Sequence, residues 1–451
     1  MLRGSKNKSE IVFWGEDGAI GTPERVEMAA KALSKLANKG WDGDDYIKQF
    51  NVWNNFLKEK QFTKAFPSVD SLQVSLGNNA LYYQGRIIEN IRISNITDGY
   101  VVNGWEGNKI ENHSGVVDVW RNPKGNPQIL GYYNQPLYVA IKARHTVLKR
   151  GDTTVVDFFI VNEKNSNGSY KLEVNASNGK GVFYQKSFSV SVTGGLVYGE
   201  LLAEAVSIPV MEEGYTTIHA ELIRENSLIA SGKESLYAVD YPLQNLRNTI
   251  LVNDTSGTIQ KTMNAAGIPF ENLKGQFEPV NGVLVLIGSN MNFVRDNWRV
   301  NNDFIEWISN GNTAICLDNC DLFAEFLEKK EVLDYYGRNE IGKVWYGGNY
   351  FNREHPVFKG LPQNTAFNWE WQSLAGYDLK RYGLRLKGEQ TLIGAHADHR
   401  QELFSTLAIV PVGRGQIVLS ALDLHKAIGS GLKSNIVAKR LLLNLLLSFK
   451  Q

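Results

Sequence analysis

Cysteine is nearly absent: Cys316 and Cys320 are the only two among 451 residues, so no disulfide framework organises the fold. Charge of one sign is lacking as well. The 48 Lys and Arg stand against 47 Asp and Glu, a formal net charge of +1. No global basic field therefore recommends nucleic acid or an anionic membrane as partner. No apolar run is long enough to cross a bilayer: the strongest near the end, Leu441–Phe449, is too short and carries Asn444. Met1–Glu10 is polar and basic with no apolar h-region, so it does not read as a signal peptide. The chain is expected to be soluble; its compartment is unknown, and periplasmic or extracellular only if a longer protein supplies an export signal. There is no internal repeat and no low-complexity tract.

What is present is ordinary for a large globular chain. The 43% hydrophobic content excludes wholesale disorder, and the length leaves room for roughly three domains. Aromatic residues make up 11%, which suits sugar-stacking surfaces and β-rich cores alike.

One stretch organises the rest. Ile11, Val12, Phe13 and Trp14 form a continuous apolar run that Gly15-Glu16-Asp17-Gly18 ends abruptly. A short run bounded by turn residues, before a helix start, predicts a strand buried on both faces, as in a parallel sheet. Glu16 and Asp17 would then stand just past its C-terminal end, the rim where parallel α/β barrels build active sites. Thr22 and Pro23 supply a helix cap and first turn; Val26, Ala29, Ala30, Leu33 and Leu36 follow at helical spacing, and Gly40 closes the helix. Asp44–Lys60 predicts a second helix with Tyr46, Phe50, Trp53 and Leu57 on one face, and Asn78–Asn95 a third. Tyr100–Glu106 is a second buried-strand candidate, followed by a loop with Asn112, His113 and Asp118. Strand, helices, strand is the rhythm of a parallel sheet.

From about Gln135 the texture changes. Seven short runs rich in Val, Thr, Tyr and Phe, from Leu137–Ala143 to Leu228–Val239, are separated by turn residues at near-regular spacing. That is the pattern of an immunoglobulin-like sandwich. The last stretch alternates strands and helices again, with a hairpin turning at Gly413-Arg414-Gly415 and a closing amphipathic helix over Lys433–Phe449. It predicts a doubly wound open α/β domain.

The residues Gly15-Glu-Asp-Gly-Ala19, Asp98-Gly-Tyr-Val-Val-Asn-Gly-Trp-Glu106 and Asp118-Val-Trp-Arg-Asn-Pro-Lys124 resemble glycoside hydrolase family 2, the β-galactosidase, β-glucuronidase and β-mannosidase group. The likeness is to the last quarter of that family's (β/α)8 barrel. It implies that Glu16 holds the place of the catalytic nucleophile, with Gly15 and Asp17 replacing the usual neighbours, and that Trp105 lines the sugar subsite. The following sandwich fits the family's post-barrel domain, and the last domain resembles the flavodoxin-like, amidotransferase-like module appended to some bacterial glycosidases. The resemblance thus implies a multidomain chain: 1–134 as a partial barrel carrying strands seven and eight, 135–242 as the sandwich, and 246–451 as the flavodoxin-like domain.

The resemblance also shows a gap. A retaining glycosidase needs a nucleophile and a proton donor about 5–5.5 Å apart, and the family's acid/base Glu, in an Asn-Glu pair on strand four, has no counterpart ahead of Glu16. The chain is expected to be the C-terminal part of such an enzyme, lacking the acid/base and the sugar-binding jelly-roll, and inactive in isolation. The expected partners are a carbohydrate and a complementing N-terminal glycosidase polypeptide, with a homo-oligomer kept open; no cofactor or metal is implied.

Each site residue has a plainer role to set beside this. Glu16 could be a solvated turn carboxylate, a role that strand-end placement and the family pattern together outweigh. Asp17 suits a capping or supporting group. Trp105 suits a subsite platform; Glu106, Asn112 and His113 are weaker substrate contacts, since polar loop residues usually face solvent. Asn162-Glu163 spells the acid/base pair but lies inside the sandwich, where a strand-end turn is the better reading. Cys316, flanked by Ile315 and Leu317, lacks the small neighbours of a nucleophile elbow, which weighs against a glutaminase using His396, His399 or His425 as base. Asp254-Thr-Ser-Gly257 suits a helix cap more than an anion site. Trp345, Tyr346, Trp369 and Trp371 offer a sugar-stacking or subunit-contact patch, with core packing as the default reading. Two other readings stay open: a non-catalytic carbohydrate-binding or oligomerisation module with a vestigial barrel, and an amidotransferase-like hydrolase in the last domain.

Overall fold

The computed structural model describes residues 11–17, 24–95, 97–102, 105–106, 115–195, 197–240, 249–274, 277, 282–288, 298–341, 349–374, 381–397, 400–429 and 435–449, and omits the side chains of residues 16, 17 and 298–302. The chain is a multidomain mixed α/β protein. It divides into two compact units, residues 1–25 with 73–240, and residues 26–72 with 241–451. In chain order the first elements are β1 (Phe13–Asp17), α1 (Val26–Leu33), α2 (Gly43–Glu59), α3 (Val69–Ser94), β2 (Gly99–Val102) and α4 (Gln128–Tyr133).

In the first unit, β1 and β2 form a two-stranded parallel sheet with Phe13 opposite Gly99, Trp14 opposite Tyr100 and Asp17 opposite Val102. The predicted burial of these strands is not what the structure shows. Ile11 is 85% exposed, Phe13 60% and Val101 48%. Among the described residues each strand has only the other as partner, and a two-stranded ribbon cannot cover its own faces.

Beside α3 and α4, the strands that follow in this unit form a β-sandwich. Its strands are β3 (Leu137–Ala143), β4 (Val147–Lys149), β5 (Thr153–Asn162), β6 (Gly168–Asn178), β7 (Gly181–Val192), β8 (Gly199–Pro209), β9 (Gly214–Arg224) and β10 (Ser227–Val239). A three-stranded sheet, β3-β5-β8, and a five-stranded sheet, β4-β10-β9-β6-β7, share one core. Alternation along the strands places the side chains: Thr216, Ile218, Ala220 and Leu222 of β9 are buried because successive residues of a strand point to opposite faces. Into that core go Val139, Ile141, Val156, Phe158, Ile160, Leu172, Val174 and Leu236.

Helix α3, longer at its start than the predicted Asn78–Asn95, is fixed to the sandwich by charge and close packing. Arg86 reaches Glu234 of β10 at 2.5 Å and Glu89 at 3.0 Å, and Lys142 of β3 closes on Glu89 at 3.0 Å. At the helix end, Asn95 takes a left-handed conformation (φ 53°) and its Oδ1 accepts from the N–H groups of Tyr198 and Gly199 at 3.0 and 2.8 Å. Gly199 has to be glycine, since a Cβ there would lie 2.4 Å from the Cα of Ile93.

The second unit holds α1, α2 and the remaining elements: β11 (Ile250–Asn253), α5 (Thr258–Ala265), β12 (Glu271–Asn272), β13 (Leu284–Ile287), α6 (Trp298–Ser309), β14 (Thr313–Cys316), α7 (Cys320–Lys329), β15 (Asp334–Glu340), β16 (Tyr350–Asn352), β17 (Tyr382–Lys387), β18 (Gln390–His396), β19 (Leu403–Val412), β20 (Gly415–Ser420), α8 (Leu424–Gly429) and α9 (Ile436–Ser448). Its large sheet runs β12-β11-β13-β14-β20-β19-β17-β15. The first five strands are parallel neighbours, and β19 returns antiparallel to β20. The central parallel strands β13 and β14 are buried at every position, Leu284–Ile287 and Thr313–Cys316, and β13 is wholly apolar, as burial on both faces demands.

Helix α2 packs in this unit through Tyr46, Gln49, Trp53 and Leu57. The Trp53 Nε1–H donates to the Gln401 carbonyl at 2.9 Å, and its ring meets that of His396 at 5.1 Å. Helix α9 is not amphipathic as predicted: Ile436, Val437, Ala438 and every residue from Arg440 to Leu446 are buried. A helix buried nearly all round is a central one, and its two buried polar residues are satisfied internally, with Arg440 and Asn444 bonded to each other at 3.0 Å and to carbonyls of Val357 and Lys359.

Candidate functional site

The parallel pairing of β1 and β2 sets the candidate site's geometry. Both strands run the same way, so their C-terminal ends lie side by side, Asp17 opposite Val102. The backbones of Glu16 and Asp17 lie in the last positions of β1, while their side chains, and all of Asn112 and His113, lie outside the described residues. Trp105 follows β2, 63% exposed, and its carbonyl accepts from the N–H groups of Val116 and Val117 at 3.1 and 3.0 Å. Glu106 forms a lone parallel bridge with Val117 and an ion pair with Arg121 at 2.8 Å. Glu106 is therefore engaged by the protein itself.

The segment 116–124 is tied by a set of hydrogen bonds and a buried ion pair. Asp118 Oδ1 accepts from the N–H groups of Trp120 and Asn122 at 2.9 and 2.8 Å. Lys124 and Glu24, buried to 1% and 4% side-chain exposure, pair at 3.1 Å. Burial pushes the Lys124 ammonium below its ordinary range and the Glu24 carboxyl above its own, each partly offset by the other's charge. The Arg25 guanidinium donates to the Pro123 carbonyl at 2.6 Å. Glu24 escaped the sequence analysis because its partner lies a hundred residues away, and no local pattern marks it.

The other candidates fall into plain structural roles. The Asn162 side chain bonds the N–H and carbonyl of Ser166, and Glu163 pairs with Arg92 at 2.7 Å, which makes this a strand-end turn. Cys316 and Cys320 are fully buried, and burial pushes both thiols well above their ordinary values; such thiols are poor nucleophiles. Trp369 and Trp371 are buried, the latter stacked on Phe367 at 4.1 Å, while Trp345, Tyr346 and His399 lie outside the described residues.

Beyond the carboxyl end of β11, Asp254 Oδ2 accepts from the Ile259 N–H at 2.9 Å and Oδ1 from the Ser256 N–H at 3.0 Å. Burial alone would raise this carboxyl, but those N–H groups, the Ser256 hydroxyl and His425 outweigh it and hold it below the usual range. The Ser256 Oγ lies 2.8 Å from His425 Nε2 and 2.9 Å from Asp254 Oδ1. Carboxylate and imidazole address the same hydroxyl, so the carboxylate does not orient the imidazole's far nitrogen as a triad requires. The cluster caps α5.

No family model matches the sequence, and no curated protein matches it. Among solved structures, a β-D-mannosidase from Dictyoglomus thermophilum is 14% identical over 53% of this chain and 29% of its own, with a TM-score of 0.32. A glycosyl hydrolase family 2 member from Bacteroides cellulosilyticus is 10% identical over 43% of this chain and 38% of its own, at 0.20. A CARDB domain from Pyrococcus furiosus, in complex with two metal ions, is 15% identical over 23% of this chain and 87% of its own, at 0.18. The chain thus spans well under half the length of the two glycosidases. At these scores the likenesses carry no argument about chemistry.

Proposed function

We propose that this chain is the C-terminal part of a retaining β-glycoside hydrolase resembling family 2. Glu16 attacks the anomeric carbon, a carboxylic acid outside these residues protonates the departing oxygen, and Trp105 gives the sugar ring a platform. The observation that supports the reading is the parallel pairing of β1 and β2, with Asp17 opposite Val102, three residues ahead of the exposed Trp105. The exposed Phe13 and Val101 on these strands, with Ile11 just ahead of β1, support a barrel completed by further strands, from a longer protein or from a complementing polypeptide. Asp17 supports the strand end; Glu106, Asn112 and His113 are candidate sugar contacts, with Glu106 requiring release from Arg121.

The post-barrel domain is the immunoglobulin-like sandwich. The last domain is flavodoxin-like, supported by the order of its parallel strands: numbered by sequence they run second, first, third, fourth, fifth, the flavodoxin-like order. The buried Cys316 weighs against an amidotransferase-like hydrolase there. The substrate class is an O-linked β-glycoside.

Covalent trapping tests the assignment. The chain, joined to or mixed with a polypeptide supplying a jelly-roll and an Asn-Glu pair, is treated with a 2-deoxy-2-fluoro β-glycoside and mapped by peptide mass spectrometry. The glycosyl adduct is expected on Glu16. Turnover with the adduct on another carboxylate would refute the role of Glu16.

A further inference from the structure

Within the second unit a cleft of about 280 Å³ opens between α2, β15, β17 and β19. Its size corresponds to about nine water volumes, room for roughly a dozen non-hydrogen atoms. Two aromatic side chains line it: Phe56, backed by Phe62 and Phe351, and Tyr336, which is 55% exposed. Four polar side chains, Asn55, Glu59, Arg385 and Glu402, share the lining.

At the inner side Lys60 and Ser405 belong to a closed network. Lys60 Nζ contacts Glu389 Oε1 at 2.7 Å and donates to the Leu386 carbonyl at 3.0 Å, and Ser405 Oγ donates to the same Glu389 oxygen at 3.1 Å. The Glu389 side chain is wholly buried. The lysine charge is thus already neutralised, and the other charged side chains of the lining are one arginine and two carboxylates.

This balance decides the ligand class. An anion would meet Glu59 and Glu402 with Lys60 already paired, and a cation would meet Arg385. An apolar molecule would leave the four polar side chains of the lining without a ligand partner. A ring with an apolar face and a rim of hydroxyls satisfies both, because hydroxyls donate to carboxylates and accept from Arg and Asn, while aromatic rings cover C–H surface.

We propose that this cleft is a carbohydrate subsite for one uncharged pyranose, its C–H face on Tyr336 and Phe56 and its hydroxyls on Asn55, Glu59, Arg385 and Glu402. The proposal goes beyond the Glu16 reading and does not depend on it. Its small contact area sets a dissociation constant on the order of 1 mM or weaker.

Saturation-transfer NMR of the full chain, titrated with methyl β-D-glucopyranoside, methyl β-D-galactopyranoside and methyl β-D-mannopyranoside, tests it. Saturable binding of at least one is expected, weakened tenfold or more by Tyr336→Ala and by Glu402→Gln and retained in Trp105→Ala. Both cleft residues lie at the surface, and unchanged circular dichroism checks that each variant folds. No saturable binding of any probe at 50-fold excess over that constant would overturn the proposal. So would binding that Trp105→Ala abolishes and the cleft variants leave intact.

Discussion

Replacing Arg86 by Met should loosen the grip of α3 on the sandwich. Arg86 has 17% side-chain exposure and serves two carboxylates, Glu234 at 4% and Glu89 at 2%. Lys142 stays paired with Glu89, so the substitution strands Glu234 in particular. Removing one partner of a buried ion pair costs about 3–5 kcal/mol, or about two to three and a half decades in the local opening equilibrium. Hydrogen exchange of amides in β9, β10 and α3 reads this directly, because opening of a local unit sets their protection.

The loss should depend on pH. Burial already raises the Glu234 carboxyl, with Arg86 opposing that rise; without Arg86 it rises further. The folded state then holds its proton more tightly than the unfolded chain does. The deficit is fully present above the raised folded value and shrinks as pH falls through it toward the ordinary glutamate range. The double variant Arg86→Met with Glu234→Leu should recover most of the loss, since an apolar pair of similar volume is often as stable as a buried ion pair. A loss under about 1 kcal/mol in the single variant, or no recovery in the double, would refute the reasoning.

Gly199→Ala sets a Cβ 2.4 Å from the Ile93 Cα and 2.6 Å from its carbonyl oxygen, both backbone atoms; it should cost about 1–3 kcal/mol, read as faster exchange at the C-terminal end of α3. Full native stability would mean that the helix end yields freely. Cys316 and Cys320 should resist a thiol reagent at pH 8 in the native protein and both react once it is denatured. Stoichiometric native labelling would return Cys316 to consideration as a nucleophile.

The sandwich was the most legible part of the chain. Strands such as β9 alternate, with Thr216, Ile218, Ala220 and Leu222 turned inward, and turns separate the strands, so the boundaries of the seven predicted runs and the observed ones differ by only a few residues. The parallel strands around Leu284–Ile287 and Thr313–Cys316 were legible as continuous apolar runs. Exposure was not. Ile11–Trp14 has the composition of a buried strand, but burial is a property of neighbours, and no local pattern reports how many neighbours a strand has. The closing helix differs for a related reason: Arg440 and Asn444 are buried there because they find partners around Val357 and Lys359, which no local pattern reports.

The same limit applied to the candidate site. Trp105 and Glu16 could be named from a strand end and a motif. The Glu24–Lys124 pair and the packing of Trp53 against His396 join residues a hundred to several hundred positions apart. The cleft beside Tyr336 likewise draws on α2, β15, β17 and β19, and becomes visible only when they assemble.

The most direct test of the central claim is a nitrophenyl-glycoside panel run with and without a complementing polypeptide that carries the Asn-Glu pair, with Glu16→Gln as control. The account predicts no turnover by the chain alone and turnover on complementation that falls by at least about three decades in the Glu16→Gln variant. Turnover by the isolated chain that Glu16→Gln removes would show that a proton donor already lies within these residues. Complemented activity indifferent to Glu16→Gln would contradict the claim outright.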